Sequence, residues 1–314
     1  MIPIAFEDFD LDRVPVGTTR GTFSLDVGGE GCLPFHVERA AAPGPTVLVT
    51  AGVHAAEYTC IEAAQRLISD RPPLRRGTLV VLPVVNWKGF WQRSIFLNPA
   101  DGKNLNRVFP GRSDGTESER LADRITRTFV SRARAHVDLH SGDLIERLHP
   151  FCFYDRADPA SRALAEVFGM PYMAATTAKG YTVTAAAAVG CVGLIAEAGD
   201  FGTVGAAEVD LLVAGVRRVL AHLGLIESRD AVAVATRSRD VDIETVAAEV
   251  DCLWYPAVVP GNIVTAGERI GFVRLEPGAP LHERVSPRDG VVLYMMNGVP
   301  VRKGEPLLSL GCRT

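Results

Sequence analysis

Gly52-Val53-His54-Ala55-Ala56-Glu57 sets a histidine and a glutamate three residues apart, between an apolar run and a helical pattern. Imidazole nitrogen and carboxylate oxygen are donors that zinc takes, and a catalytic zinc needs three protein ligands with one position open. H-x-x-E alone recurs by chance in many chains. His140 supplies a third donor at the end of the alternating run His136-Val-Asp-Leu-His140, just before Ser141-Gly142-Asp143, a turn that leaves the ring accessible. The ordinary role of a strand-end histidine is a surface or hydrogen-bonded ring, and His136 fits that role better. His36, His149, His222 and His282 lie in weaker contexts and are read as structural or surface residues.

Two further groups extend the set. Glu197 ends the apolar run Gly193-Leu-Ile-Ala, where an unpaired buried carboxylate would be costly, so it is read as facing a polar cleft. A carboxylate beside a metal-activated water can take its proton and pass it to a leaving amine. Asp200, three residues on, is the competitor, and Glu197 is preferred. Asp101-Gly-Lys-Asn-Leu-Asn106-Arg107 places a guanidinium beside an amide, a pairing suited to bidentate capture of a carboxylate. The alternative is a loop Asn-Arg pair that pins backbone carbonyls.

These residues need a scaffold to bring them together. Thr46–Thr50 and Thr78–Leu82 are short buried strands, His136–His140 an alternating one, and Gly193–Glu197 a fourth. Ala56–Ser69 reads as a helix with Tyr58, Ile61, Ala64, Leu67 and Ile68 on one side; Glu117–Arg134 reads as a charged helix and Ala206–Leu225 as an amphipathic one. Residues 86–115 show no sustained period and read as a long functional loop. Residues 1–40, with glycines at 28, 29 and 31, read as an opening β-hairpin. Strands alternating with helices predict an α/β fold, a mixed or mostly parallel central sheet flanked by helices.

Past about residue 231 the helical period stops. Gly261-x-x-Val264-x-x-Gly267-Glu268 recurs as Gly298-x-x-Val301-x-x-Gly304-Glu305, and each copy returns to an apolar strand. This predicts a small all-β barrel or sandwich. The expected division is 1–230 for a catalytic domain and 231–314 for the β domain, with the boundary between 228 and 240.

The 314 residues are 47% hydrophobic, enough for a sizeable core, and the net charge of −4 points to no nucleic-acid partner. No run of about 18 apolar residues is present to span a membrane. The acidic start, Met1–Asp12, lacks the basic and apolar segments of a signal peptide, so a cytoplasmic location is expected. The cysteines at 32, 60, 152, 191, 252 and 312 form no C-x-x-C pair and are read as reduced.

The order H-x-x-E, Asn-Leu-Asn-Arg-x-Phe-Pro-Gly, Asp-Leu-His and a strand ending in Glu resembles the succinylglutamate desuccinylase and aspartoacylase family, on the zinc carboxypeptidase fold. The resemblance covers roughly residues 44–205, with further agreement in the β-rich tail. It implies one zinc ion held by His54, Glu57 and His140, and Glu197 as general base and proton shuttle. It implies Asn106 and Arg107 as the anchor for the carboxylate of an N-acyl amino acid substrate, and an upstream arginine, with Arg93 the nearest candidate, to polarise the scissile carbonyl. The implied reaction is hydrolysis of that amide. Asn104 departs from the family, which typically has Asp there behind a zinc-ligand histidine; an amide can accept the hydrogen bond but lends less charge. The pattern resembles the branch that includes N-acetyl-diaminobutyrate deacetylases.

Two rival readings stand beside this one. A metallocarboxypeptidase of the same fold would act on small peptides, but such enzymes usually lack the β tail. A non-catalytic carrier or zinc-binding protein is suggested by the Gly-x-x-Val-x-x-Gly-Glu repeat, which resembles half-motifs of biotinyl and lipoyl domains. A carrier needs a lysine on the hairpin between its halves, and residues 272–297 contain none. The tail is therefore read as a structural unit that shapes the cleft or a homodimer contact.

Overall fold

The computed structural model describes residues 4–24, 32–233, 237–298 and 300–313. Four parallel strands form its centre. Thr46–Ala51 lies between Thr78–Leu82 on one side and Ala135–His140 on the other, and Val192–Glu197 follows Ala135–His140. Every residue of Thr78–Leu82 and Ala135–His140 is buried, as expected for strands covered on both faces. The helices Tyr58–Ser69, Pro159–Phe168 and Ala206–His222 pack together on one face, with Ile61, Leu67, Leu164, Phe168, Leu212 and Val216 in a shared core. The helix Glu117–Thr128 covers the other, through Leu121 and Ile125.

Helix and strand positions follow the sequence closely. The helix expected over 56–69 begins at Tyr58, because His54 to Glu57 are spent on a turn. The helix expected to reach Arg134 ends at Thr128, followed by a 3-10 turn at Val130–Arg132. The region 86–115 is not a bare loop: it holds the helix Trp87–Gln92, capped by the Asn86 side chain, and a two-stranded ribbon, Leu97–Asn98 with Lys103–Asn104. Its Trp87-Phe90-Trp91 cluster is held by ring-on-ring contacts, which carry no helical period. The opening hairpin pairs Gly17–Ser24 with Cys32–Arg39; the glycines at 28, 29 and 31 lie outside the described residues.

The sheet does not stop at the central strands. Phe151–Asp155, Tyr172–Thr176, Arg239–Ala247, Pro306–Arg313 and Gly290–Met296 extend it in that order. A second sheet, of four strands, is built from Cys252–Pro256, Arg269–Arg274, His282–Val285 and Pro300–Val301. Trp254, Ile270, Val273, Leu307 and Leu310 fill the space between the two. The sequence repeat is also a structural one. Glu268 accepts a bond from the Thr265 N–H at 2.9 Å, and Glu305 accepts one from the Arg302 N–H at 2.8 Å. Gly267 and Gly304 both take positive φ in that turn.

Candidate metal centre and cleft

The site lies at the carboxyl ends of the parallel strands. The chain leaves Thr46–Ala51 in one direction along the sheet and returns on its other side, so a crevice opens between Thr46–Ala51 and Ala135–His140. Open α/β sheets bind ligands at such a switch point. Gly52 turns the chain out of the first strand at φ +64°, and a Cβ there would meet Ile61 and Val84 at 3.1–3.2 Å. His54 and Glu57 follow at once.

His54, Glu57 and His140 converge, with one ligand atom from each lying within 4.8 Å of the others. His54 Nδ1 is 2.6 Å from Glu57 Oε1, and His140 Nδ1 is 3.0 Å from Glu57 Oε2. Glu57 occupies the N-cap of its helix without capping it; its carboxylate turns to the two rings and accepts the Ser141 N–H at 3.0 Å. The helix N-terminus favours negative charge at that position.

Each ring is braced from behind. His54 Nε2 is 3.0 Å from Asn104 Oδ1, and His140 Nε2 is 2.9 Å from Asp138 Oδ2. Both partner atoms accept, so each Nε2 carries a proton; each Nδ1 faces Glu57, donating to it when the ring is charged and free to offer a lone pair to a bound metal when the ring is neutral. Asp138 is fully buried and also accepts from the Thr50 and Thr182 hydroxyls. Thr50 in turn contacts His136 Nε2 at 2.8 Å, which gives His136 the hydrogen-bonded structural role read from sequence.

Charge follows this geometry. Burial would raise the Glu57 carboxyl, but His140 and His54 hold it down at about 2. Asp138 likewise sits at about 2, held down against burial by His140. Burial opposes a charge on His140, yet Glu57 and Asp138 raise it well above the usual imidazole range. Two basic nitrogens and a carboxylate, with their outward nitrogens fixed, form a donor set that fits a divalent cation such as zinc.

A cavity of about 480 Å³ opens beside the three donors. Glu197 lines it, paired in the sheet with His140. Burial pushes its carboxyl up to about 8 against the pull of His140, and Glu57 and Asp138 add to the rise. Asp200 is engaged elsewhere: it accepts the Leu148 N–H at 2.6 Å and meets Arg147 Nε at 3.3 Å.

Asn106 and Arg107 also line the cavity. The Asn106 side-chain oxygen Oδ1 accepts the Thr182 N–H at 2.9 Å. The Arg107 guanidinium lies 4.2 Å from the Tyr181 ring centroid. Arg93 is not brought to this group: it is exposed, ends the short helix in left-handed geometry, and does not line the cavity. Phe96, three residues on, stacks edge-on to His54 with centroids 5.4 Å apart.

Sequence reasoning missed several lining residues. Asp138, which braces His140 from outside the lining, carries no mark in the sequence beyond its place two residues before that histidine. Glu146, and Tyr294 from the tail, passed unremarked; the Tyr294 hydroxyl donates to the Glu146 carboxylate inside the cavity wall. Ile243, Thr245, Leu293, Pro306 and Ser309 of the tail complete that wall. The only signal within reach was Glu146 itself, a carboxylate six residues past His140.

The chain is similar to known proteins over most of its length. Residues 43–223 match the succinylglutamate desuccinylase/aspartoacylase catalytic domain. The N-alpha-acetyl-L-2,4-diaminobutyric acid deacetylase of Halomonas elongata is 34% identical over 231 residues, 70% of this chain and 67% of that protein. A succinylglutamate desuccinylase/aspartoacylase from Rhodobacter sphaeroides superposes with a TM-score of 0.86 at 27% identity, over 98% of each chain. The product-bound ectoine utilization protein EutE (DoeB) from Ruegeria pomeroyi superposes equally well, TM-score 0.86 at 26% identity, over 96% of this chain and 98% of its own.

Proposed function

The chain belongs to the succinylglutamate desuccinylase/aspartoacylase family, and on that premise we propose that it is a zinc-dependent deacylase of small N-acyl amino acids. It is an amidohydrolase by family, and the carrying observation for this reading is one cavity that joins His54 and Glu57 of the donor cluster to Glu197 and Arg107. Its volume of about 480 Å³ suits a metabolite. The wall supplied by Ile243, Leu293 and Pro306 supports a small substrate over a polypeptide.

His54, Glu57 and His140 would hold the metal. When bound, zinc supplies Lewis acidity that polarises the amide carbonyl and makes a water acidic enough to attack near neutral pH. The remaining steps belong to the chain's own side chains. Arg107 and the Asn106 amide hold the substrate carboxylate, which fixes the amide against Glu197. Glu197 takes the proton of the attacking water as the C–O bond forms. It then delivers that proton to the amide nitrogen as the C–N bond breaks, so the amine leaves neutral. Burial suits Glu197 to this traffic, because it weakens the carboxylate's hold on charge. The relative from Halomonas elongata is named a deacetylase, which supports acetyl as the acyl group. Arg93, as placed, stands outside this scheme.

The test combines metal analysis with a screen of N-acetyl, N-formyl and N-succinyl amino acids. Glu197→Gln is expected to keep its metal and to lose turnover by about 10²–10⁴-fold, the usual worth of a positioned acid–base group. Near-normal activity in that variant would sink the assignment. We also propose a division into units 1–230 and 231–314, a cytoplasmic site of action and a homodimer, the last open to light scattering. No helix of the described residues is long and apolar enough to cross a membrane.

A further inference from the structure

A second cavity, of about 810 Å³, lies beside the catalytic one and takes no part in the mechanism. The same strands serve both. Arg239–Ala247 gives Arg239 and Val241 to this cavity, and Ile243 and Thr245 to the catalytic one. Alternate residues of a strand share a face, so the two cavities lie end to end on one face of the sheet. Gly290–Met296 and Pro306–Arg313 divide likewise, Val291 against Leu293 and Arg313 against Ser309. Val241, Val291 and Leu293 belong to one buried apolar cluster, which forms a partition between the two cavities. Gly311 leaves room for it: a Cβ there would meet Leu293 at 2.8 Å and Val241 at 3.0 Å.

This second cavity is lined by three cations, Arg239, Arg288 and Arg313. Val241 pairs with Arg313 across the strands, and Arg239 lies two residues before Val241 on the same face. Arg239 and Arg313 are therefore diagonal neighbours, roughly 7–8 Å apart along the backbone surface. Among the described residues neither forms an ion pair; Arg239 faces the Tyr172 ring, 6.0 Å from its centroid. Solvent screens their mutual repulsion, and both guanidinium groups are left to serve one anion. The carboxylates near by are engaged elsewhere. Asp240 accepts from the Tyr154 hydroxyl and meets Arg162 Nε at 3.0 Å. Asp289 accepts the Ala266 N–H at 2.8 Å, and Glu244 stands 3.8 Å from Arg288. The rest of the lining is largely apolar. Val241, Val264 and Val291 are buried, whereas Ile263 is 67% exposed, an apolar surface that a ligand would cover.

We propose that this cavity is a second ligand site, for a small organic phosphate monoester with an apolar or aromatic body. Such a phosphate carries nearly two negative charges at neutral pH and three acceptor oxygens. That charge matches the two unpaired guanidinium groups, whose planar fork suits bidentate contact with phosphate. Arg288 adds a third, partly answered cation. The apolar body lies against Ile263 and Val264, beside the Tyr172 ring. The site draws on no residue of the metal centre, so it goes beyond the deacylase reading and stands without it.

The probe is phenyl phosphate, titrated by calorimetry into zinc-loaded full-length protein, with inorganic phosphate and benzoate beside it. Phenyl phosphate is expected to bind with a Kd of about 1 mM or below. Inorganic phosphate should bind about 10-fold more weakly, because it buries no ring. Benzoate, with a single charge, should bind about 3-fold more weakly or worse. The double variant Arg239→Gln/Arg313→Gln should weaken phenyl phosphate by about 10-fold or more. Arg107→Gln alters the catalytic cavity and should leave that binding intact. Should the double variant fail to fold, Ile263→Ser carries the test, since loss of this exposed side chain should weaken phenyl phosphate and spare inorganic phosphate. Absence of binding up to about 10 mM overturns the proposal, and a second copy of the chain seated on this face would give that result. A phenyl phosphate site that the double variant leaves unchanged overturns it, and so does one that Arg107→Gln abolishes, which puts the ligand in the catalytic cavity. Equal affinity for inorganic phosphate and phenyl phosphate overturns the ligand class, as does benzoate binding as tightly as phenyl phosphate.

Discussion

Asp138→Asn should cripple metal binding without touching a metal ligand. Asp138 is 0% exposed, and its carboxylate answers three donors: His140 Nε2–H at 2.9 Å, the Thr182 hydroxyl at 2.6 Å and the Thr50 hydroxyl at 2.5 Å. An amide has one acceptor oxygen. If its nitrogen faces His140 and Thr182, donors confront donors, and the ring can recover a bond only by moving its proton to Nδ1, which removes the ligand lone pair. If its nitrogen faces Thr50, that hydroxyl must accept from it and turn its own hydrogen to His136 Nε2, which ties His136 to the tautomer with that nitrogen bare. The first orientation strands a buried group, worth about 1–3 kcal/mol of stability, and the second spends the tautomer freedom of His136. Either also removes the negative charge behind His140, and loss of such a partner typically lowers metal affinity about 10–100-fold. Competition against a chromophoric chelator measures the affinity, and a thermal melt of the metal-free protein measures the stability. Excess zinc should restore most of the activity if the defect is affinity. A metal affinity equal to that of the parent protein would refute the reasoning.

Other consequences follow from the same network. Asn104→Asp keeps the acceptor for His54 Nε2 and for the Asn106 N–H while adding charge; its zinc affinity should rise by up to about 10-fold in the same competition. The metal-free protein should lose stability as pH rises from 6.5 to 8. Glu197 is raised to about 8, Glu146 is raised, and His140 is raised, so in this window the folded chain holds more protons than the unfolded one and stability falls with pH. His136, lowered chiefly by burial, acts in the opposite sense but only below its unfolded value near 6.5. Melting temperatures across this range, flattened in Glu197→Gln, are the check; a rise toward pH 8 would contradict it.

The His54–Glu57–His140 cluster is legible in the sequence because its signals are local. His54 and Glu57 share one strand-to-helix turn, and His140 and Glu197 each close an apolar strand whose length marks its end. Parallel pairing then sets Glu197 beside His140 in register, as strand ends in one α/β sheet should be. The cavity walls were not legible, because they are made by contacts remote in sequence. Tyr294 meets Glu146 across 148 residues, and nothing near Tyr294 in the chain marks it as more than a strand aromatic. The short helix Trp87–Gln92 escaped for a different reason. Its hydrophobic residues stack on one another, so apolar spacing within it encodes no face toward a core. Arg93 was placed by distance along the chain from Asn106; its left-handed backbone at the helix end aims the chain toward Phe96, and Phe96 is the residue that reaches His54.

The tail is stitched to the catalytic strands in two places. Arg239–Ala247 runs parallel to Tyr172–Thr176, and Gly290–Met296 runs antiparallel to Glu146–Leu148. The change of texture in the sequence thus separates two units that share one continuous sheet. Cutting the chain ahead of Arg239 would bare two strand edges at once, the usual invitation to self-association. It would also unroof the cleft. For anyone recombining relatives of this protein, the tail is not an interchangeable accessory: a transplanted one must match the host's strand register, and it would carry its donor's taste in substrates with it.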